Sequence, residues 1–355
     1  MAGKPIQTRN CLAENGRAFR RKLVAWYADN AKDYAWRRTR DPYAILVSEL
    51  MLQQTRITTV LEGRYYERWM QRFPDTRTLA AANEEEVLKC WEGLGYYSRA
   101  RNLHTAARII EEDLEGQFPG EAINIERLLP GVGPYTAGAV ASFAFDEPAA
   151  IVDGNVARVL ARMFDLREAV DGKGGSELVW GLARRLMPKR RKVNSREYNS
   201  ALMELGQTIC KHASPLCRSC PVASFCATRD PELLPIKKPR QRPVPIEENV
   251  LFYLRNGTIL LEQEKGTRRR GLWKLPELDQ EKSTTQLSKL GKPILTLKYS
   301  ITKYRVTMNV YQAPVREPGA GRQWIALDEL DEISLGAPYR RALMKLVQKE
   351  GSRSR

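Results

Sequence analysis

The sequence predicts a multidomain protein, with an all-α region followed by a smaller α+β domain. Three observations carry that prediction. From Arg17 to about Phe225 apolar residues recur at three-to-four spacing, and long strand patterns are absent. A stretch rich in Pro, Lys and Arg follows, from Pro231 through Pro235, Lys237, Lys238, Arg240 and Arg242 to Pro245, and reads as an extended, solvated linker. From Val250 the period changes to two. The expected boundaries are 1–229 for the helical domain, 230–247 for the linker and 248–350 for the α+β domain. With 355 residues, 43% of them hydrophobic, the chain is long enough for two cores.

In the helical region the first helix carries the Ala18-Phe19 and Trp26-Tyr27 recurrence. Residues 42–60 read as one helix. Pro42 opens it, where no N–H is needed, and Ile45, Leu46, Glu49, Leu50 and Leu52 mark its apolar face. Further helices fit 65–73, 78–82, 84–91, 98–112, 125–129, 134–144, 155–164, 176–187 and 196–210. In the second domain, 250–254 and 258–262 around Asn256-Gly257 give a hairpin signal. Strands at 295–299, 304–311 and 323–325 and a helix over 338–348 complete it. The turn Ser300-Ile301-Thr302-Lys303 is a tip able to reach a partner.

The segment between the helices at 125–129 and 134–144 reads Leu129-Pro130-Gly131-Val132-Gly133-Pro134-Tyr135. Gly131 and Gly133 allow a tight turn and a close backbone approach. The free N–H groups at the start of the next helix then form an anion site. A net charge of +16 makes a DNA phosphate the natural anion. Four cysteines, Cys210, Cys217, Cys220 and Cys226, fall within seventeen positions. A thiolate set of this kind selects zinc or an iron–sulfur cluster. Only one short Cys-x-x-Cys knuckle is present, which tilts the reading toward iron–sulfur. Six cysteines in a chain this long do not suit a secreted disulfide scaffold. No apolar run reaches membrane-spanning length, and the first 21 residues lack the apolar segment of a secretory signal. A cytoplasmic, nucleoid-associated protein of bacterial type is expected.

Several segments in one order resemble a known family. They are Ser48-Glu49-Leu50-Met51-Leu52-Gln53-Gln54-Thr55, the run from Gly93-Leu94-Gly95-Tyr96-Tyr97 to Leu103, the Pro-Gly-x-Gly turn, Val152-Asp153-Gly154-Asn155-Val156 and the four cysteines. The resemblance is to MutY-type adenine DNA glycosylases, which share the helix-hairpin-helix superfamily with endonuclease III. Gly271-Leu272-Trp273-Lys274-Leu275-Pro276-Glu277 resembles that family's Nudix-like C-terminal domain. The resemblance implies a [4Fe–4S] cluster on Cys210, Cys217, Cys220 and Cys226. It also implies a monomer acting on double-stranded DNA, where adenine mispaired with 8-oxoguanine or guanine is the substrate.

Breaking a purine N-glycosidic bond needs a proton for the leaving base, tolerance of an oxocarbenium-like sugar and a placed water; two carboxylates in different environments supply these. Glu49, between Val47, Leu50 and Met51, is expected to be desolvated and therefore a proton donor. By resemblance it protonates adenine at N7 and then acts on the incoming water. Asp153 is expected to cap the following helix as an anion and, by resemblance, to face the developing positive sugar. Asn155 orients Asp153 or the water. Tyr135 stands where the bifunctional relatives carry a lysine nucleophile, so a monofunctional enzyme is expected. The resemblance also assigns Trp36 and Arg37 to the adenine pocket and Gln54 and Tyr96 to wedging the duplex. The base then leaves the stack. Arg99 is a phosphate-contact candidate, with Arg101 and Lys211. Ser200 replaces a Gln or Glu that contacts adenine in the family, and leaves that base edge to water. Ile301-Thr302-Lys303 stands where many members read Phe-Ser-His; Thr302 and Lys303 keep a hydroxyl and donors toward 8-oxoguanine. The segment 278–290 lacks an acidic Nudix run, so the domain is expected to recognise rather than hydrolyse. The competing readings are an endonuclease III-like bifunctional glycosylase/lyase, a non-catalytic DNA-binding iron–sulfur protein and a Nudix hydrolase.

Overall fold

The computed structural model describes residues 9–189, 193–239, 242–266, 269–278, 287, 289–314, 319 and 321–353. The chain divides into two compact units. One holds residues 1–56, 73–80 and 105–239, and the other holds 57–72, 81–104 and 240–355. This departs from the expected division at the linker, because helices at 57–72 and 84–104 group with the α+β part.

In the first unit, α1 (Arg9–Asn30) packs on the helix that later carries Ser200, and α2 (Ala35–Arg38) is a single short turn. The expected helix over 42–60 is two. α3 (Pro42–Leu52) ends in a turn where Gln54 adopts φ 55°, and α4 (Ile57–Glu62) begins beyond it. Asp41 caps α3, accepting from the Tyr43 N–H at 3.0 Å, with Pro42 in its first turn. Residues Tyr43 to Met51 are all buried, so α3 is an interior helix rather than an amphipathic one. Glu49 is therefore inside by position, whichever face it occupies.

The second unit takes α4 and α5 (Tyr65–Arg72). The first unit resumes with α6 (Thr76–Ala81), before α7 (Glu84–Trp91) in the second. α8 (Ser98–Arg108) ends in a π turn at Ile109–Asp113. α9 (Ala122–Leu128) and α10 (Pro134–Phe145) flank the glycine turn. Gly131 sits at φ 74° and requires glycine. Gly133 is extended at φ −95°, ψ −178°, and a Cβ there would meet no atom within 4 Å. Nothing inside the protein demands a glycine at 133. Small residues cover α10, and Gly138 lies so close to Ala150 that a Cβ would stand 2.6 Å from its carbonyl oxygen. α11 (Gly154–Met163), α12 (Lys173–Leu186) and α13 (Ser195–Thr208) complete this unit. Phe19, Leu23, Val159, Leu160, Tyr198, Leu202 and Leu205 belong to its core. Cys210 lies past the end of α13, not in it as the periodicity suggested.

In the second unit, β1 (Val244–Phe252), β6 (Tyr304–Gln312) and β5 (Leu295–Ile301) form one sheet, with β1 parallel to β6 and β5 antiparallel to it. β3 (Thr258–Gln263) pairs antiparallel with β2 (Leu254–Arg255), β4 (Trp273–Lys274) and β7 (Arg322–Ala326) in the other. β1 begins at Val244, inside the expected linker. The expected hairpin is correspondingly short, because only Leu254 and Arg255 pair with β3, while residues up to Phe252 belong to the other sheet. The turn is as anticipated, with Asn256 at φ 47° and Gly257 at φ 74°. α14 (Ala337–Arg353) packs over this core through Tyr339, Ala342, Leu343 and Leu346. Most of the segment 278–290, read for a missing acidic run, lies outside the described residues.

Candidate active site

Glu49 is 5% exposed. Burial pushes its carboxyl from the ordinary range up to about 7, against a hydrogen bond from Tyr135 and the nearby Arg37 charge, and with help from the Asp153 charge. At neutral pH an appreciable part of the population holds the proton, which a general acid requires. The same surroundings drive the Tyr135 hydroxyl well above its usual value, so Tyr135 faces Glu49 as a neutral donor. Its oxygen also lies 4.0 Å from the Met203 sulfur on α13.

Asp153 is the N-cap of α11. Its Oδ1 accepts from the Val156 N–H at 2.7 Å and its Oδ2 from Asn155 Nδ2 at 2.8 Å. Asn155 Oδ1 in turn accepts from Arg158 Nη2 at 2.9 Å, and Arg158 donates to the carbonyls of Gly206 at 2.6 Å and Cys210 at 2.7 Å. The Asp153 carboxylate is thus tied through two side chains to the start of the cysteine segment. Gly206 permits this, since a Cβ there would stand 2.7 Å from that of Asn155.

Trp36 is buried and stacks on Tyr34 at 5.1 Å. Arg37 lies over Tyr34 and donates to Glu204 Oε2 at 2.7 Å. Ser200 is buried one helical turn before Glu204 on α13. Gln54 is exposed on the turn after α3. Gly131 and Gly133 occupy the turn between α9 and α10.

In the other unit, Tyr96 is 43% exposed at φ 48°, in a loop where Gly93 and Gly95 also have positive φ. Arg99 does not present a free charge to a phosphate. It is 5% exposed, stands over the Trp91 and Tyr96 rings, and donates to the carbonyls of Leu94 at 3.1 Å and Gly95 at 3.0 Å. Arg101 is engaged with Glu84 at 2.8 Å. Lys211, in the first unit, is exposed. Thr302 and Lys303 are exposed and alone form the β5–β6 turn, because Ser300 and Ile301 are strand residues paired with Arg305 and Tyr304.

All four cysteines line one cavity of about 280 Å³, with Val159, Leu205 and Val222 among its apolar walls. Among the described residues no three His, Cys, Asp or Glu side chains converge tightly enough for a single ion. The donor set, soft sulfur around a shared space, suits zinc or an iron–sulfur cluster. Arg162, 1% exposed, donates to Cys210 Sγ at 3.3 Å and to the carbonyls of Lys211 at 2.6 Å and His212 at 3.0 Å. Sequence reasoning missed Arg158, Arg162 and Glu204. The available signal was a pair of arginines four apart inside the apolar run of α11, a placement that is costly unless both are bonded.

Comparison with known proteins follows this geometry. Residues 47–180 match the model of the HhH-GPD superfamily base excision DNA repair proteins. The chain is 46% identical over 217 residues to an adenine DNA glycosylase of Rattus norvegicus, covering 59% of this chain and 41% of that protein. It therefore spans less than half the length of that relative. A solved structure of a thermostable thymine-DNA glycosylase is 28% identical with a TM-score of 0.55, covering 61% of this chain and 98% of that one. A trapped endonuclease III–DNA covalent intermediate shares the fold, with 24% identity and a TM-score of 0.51 over 62% of this chain and 97% of that one. No described helix is long and apolar enough to cross a membrane.

Proposed function

From a chain whose residues 47–180 match the model of the HhH-GPD superfamily base excision DNA repair proteins, we propose a monofunctional adenine DNA glycosylase acting on adenine opposite 8-oxoguanine or guanine. The observation that carries this reading is the pairing of two unlike carboxyls in one site. Glu49 is buried with its affinity for a proton raised to about 7, and Asp153 is held by two N–H donors.

In the proposed reaction Glu49 gives its proton to the adenine extruded from the duplex. The electrons of the glycosidic bond leave with the base, and the sugar becomes oxocarbenium-like. Asp153, fixed by Asn155 and the Val156 N–H, faces that cation. Water adds at the anomeric carbon and its proton returns to the Glu49 carboxylate, leaving free adenine and an abasic site. Tyr135 offers a phenol and no amine, so no Schiff base forms and the strand is left intact. Trp36 and Arg37 border the base, Gln54 and Tyr96 fill the stack, and the Gly131–Gly133 turn meets phosphate. Thr302 and Lys303 read the lesion.

The α+β part of the chain is proposed to be Nudix-like and to recognise rather than hydrolyse. Lys274 neutralises its carboxylates, lying 3.0, 3.5 and 3.7 Å from Glu277, Glu262 and Glu264. Cys210, Cys217, Cys220 and Cys226 would hold a [4Fe–4S] cluster, which supplies structural and electrostatic support when bound.

The test is single-turnover release of adenine from duplexes with adenine opposite 8-oxoguanine, guanine or thymine, beside Glu49→Gln and Thr302→Ala. Release opposite 8-oxoguanine, lost in Glu49→Gln and slowed in Thr302→Ala, is expected. No release from any duplex would overturn the reading.

A further inference from the structure

Glu204 is the least explained charge in the first unit. Its side chain is fully buried, with 0% exposure. Oε2 is bound by Arg37 Nη1 at 2.7 Å, but Oε1, equally buried, has no hydrogen-bond partner. A buried carboxylate oxygen without a donor is costly and is retained where a donor arrives from outside the chain. The surroundings say which donor. Arg37 also acts on the Glu49 carboxyl, so the ion pair borders the proposed acid. Met203, the residue before Glu204, lies against Tyr135. Ser200, on the same face of α13 one turn earlier, has a side chain too short to cover the edge of a base.

We propose that Glu204 Oε1 accepts a hydrogen bond from the exocyclic amine of the extruded base, making Glu204 the group that selects a 6-aminopurine. Ser200 leaves the room for that contact, and Arg37 fixes the carboxylate that makes it. The inference rests on the glycosylase reading and adds its specificity determinant.

Arg37 sharpens the test, because guanidinium can only donate. In Glu204→Gln the amide must turn its oxygen to Arg37, which puts an NH₂ group where Oε1 stood. An acceptor becomes a donor without a change of shape. The variant should lose preference for adenine, whose position 6 donates, and gain it for hypoxanthine, whose position 6 accepts.

The experiment measures single-turnover release of adenine and of hypoxanthine, each opposite 8-oxoguanine, by the full-length cluster-bearing protein and by Glu204→Gln. Dividing the two enzymes' ratios cancels the unequal leaving abilities of the bases. A shift of the ratio toward hypoxanthine of about 10-fold or more is expected, the effect of exchanging one hydrogen bond to a charged group. Equal slowing of both bases in Glu204→Gln would mean that Glu204 only holds Arg37, and would overturn the proposal.

If Glu204→Gln does not fold, judged by circular dichroism and iron content, the wild type still decides. Its affinity for duplexes carrying non-cleavable 2′-fluoro-adenosine must exceed that for the purine analogue lacking the amine, and equal affinities overturn the proposal. Failure of wild type to release any adenine would instead remove the glycosylase reading itself.

Discussion

Glu49 shows how a single buried group produces both a chemical and a stability effect. Its carboxyl titrates near 7 in the folded chain and near 4.5 when unfolded. Base release should therefore fall as pH rises through about 7, since the proton-bearing form is depleted; a pH–rate profile flat from 5 to 8 would remove Glu49 as the acid. The linkage has a definite sign. The folded value is raised, so the stability cost of ionising Glu49 begins above about 4.5 and is complete above about 7. Glu49→Gln should match wild type near pH 4.5 and exceed it at pH 8 by on the order of 3 kcal/mol, which thermal melts at the two pH values would detect. The identity of this residue was legible in the sequence from its apolar neighbours. Its neighbours Tyr135, Arg37 and Asp153 were assigned to the same site only through the family resemblance, because periodicity and spacing do not show that distant segments meet it on folding.

At the scale of elements, α3 and α10 were readable in type and nearly so in extent, since both open with proline and carry unbroken apolar runs. The break after Leu52 was missed because Gln53, Gln54 and Thr55 contain neither Gly nor Pro, and the turn depends on Gln54 tolerating positive φ. β1 was misplaced for another reason: one alternating run serves two sheets, and period alone does not say which neighbour a strand takes. The turn before α10 yields a prediction of its own. Gly133 has no intramolecular need to be glycine, so Gly133→Ala should change stability by less than about 1 kcal/mol. Its affinity for duplex should nevertheless fall about 10-fold, equivalent to about 1.4 kcal/mol, if the backbone there approaches phosphate. Titration and melting of the same sample separate the two effects. Cys217→Ser belongs to this scale also. If the four cysteines hold the proposed cluster, it should reduce iron content and duplex binding together, and a variant that folds, binds duplex normally and lacks only base release would contradict a structural role for that proposed cluster.

For the whole molecule, the charge of +16 implies that duplex affinity falls steeply with salt. Log K against log salt should be linear, with a slope near −0.9 for each phosphate neutralised, and a flat response would count against a basic binding face. Charge, the helical region and the cysteine set were all visible in the sequence. The grouping of residues 57–72 and 81–104 with the α+β part was not, because it depends on tertiary packing that leaves no periodic signature. The same unit carries the loop at 93–96, where Arg99 grips the carbonyls of Leu94 and Gly95 and stacks under Tyr96. The consequence is thermodynamic. The loop's backbone entropy is surrendered when the protein folds, so the exposed tyrosine is held at its positive φ before any partner arrives, and on the proposed reading it would meet the duplex already shaped. If Tyr96 enters the duplex as proposed, loosening that grip would leave the encounter with DNA intact and slow only the insertion.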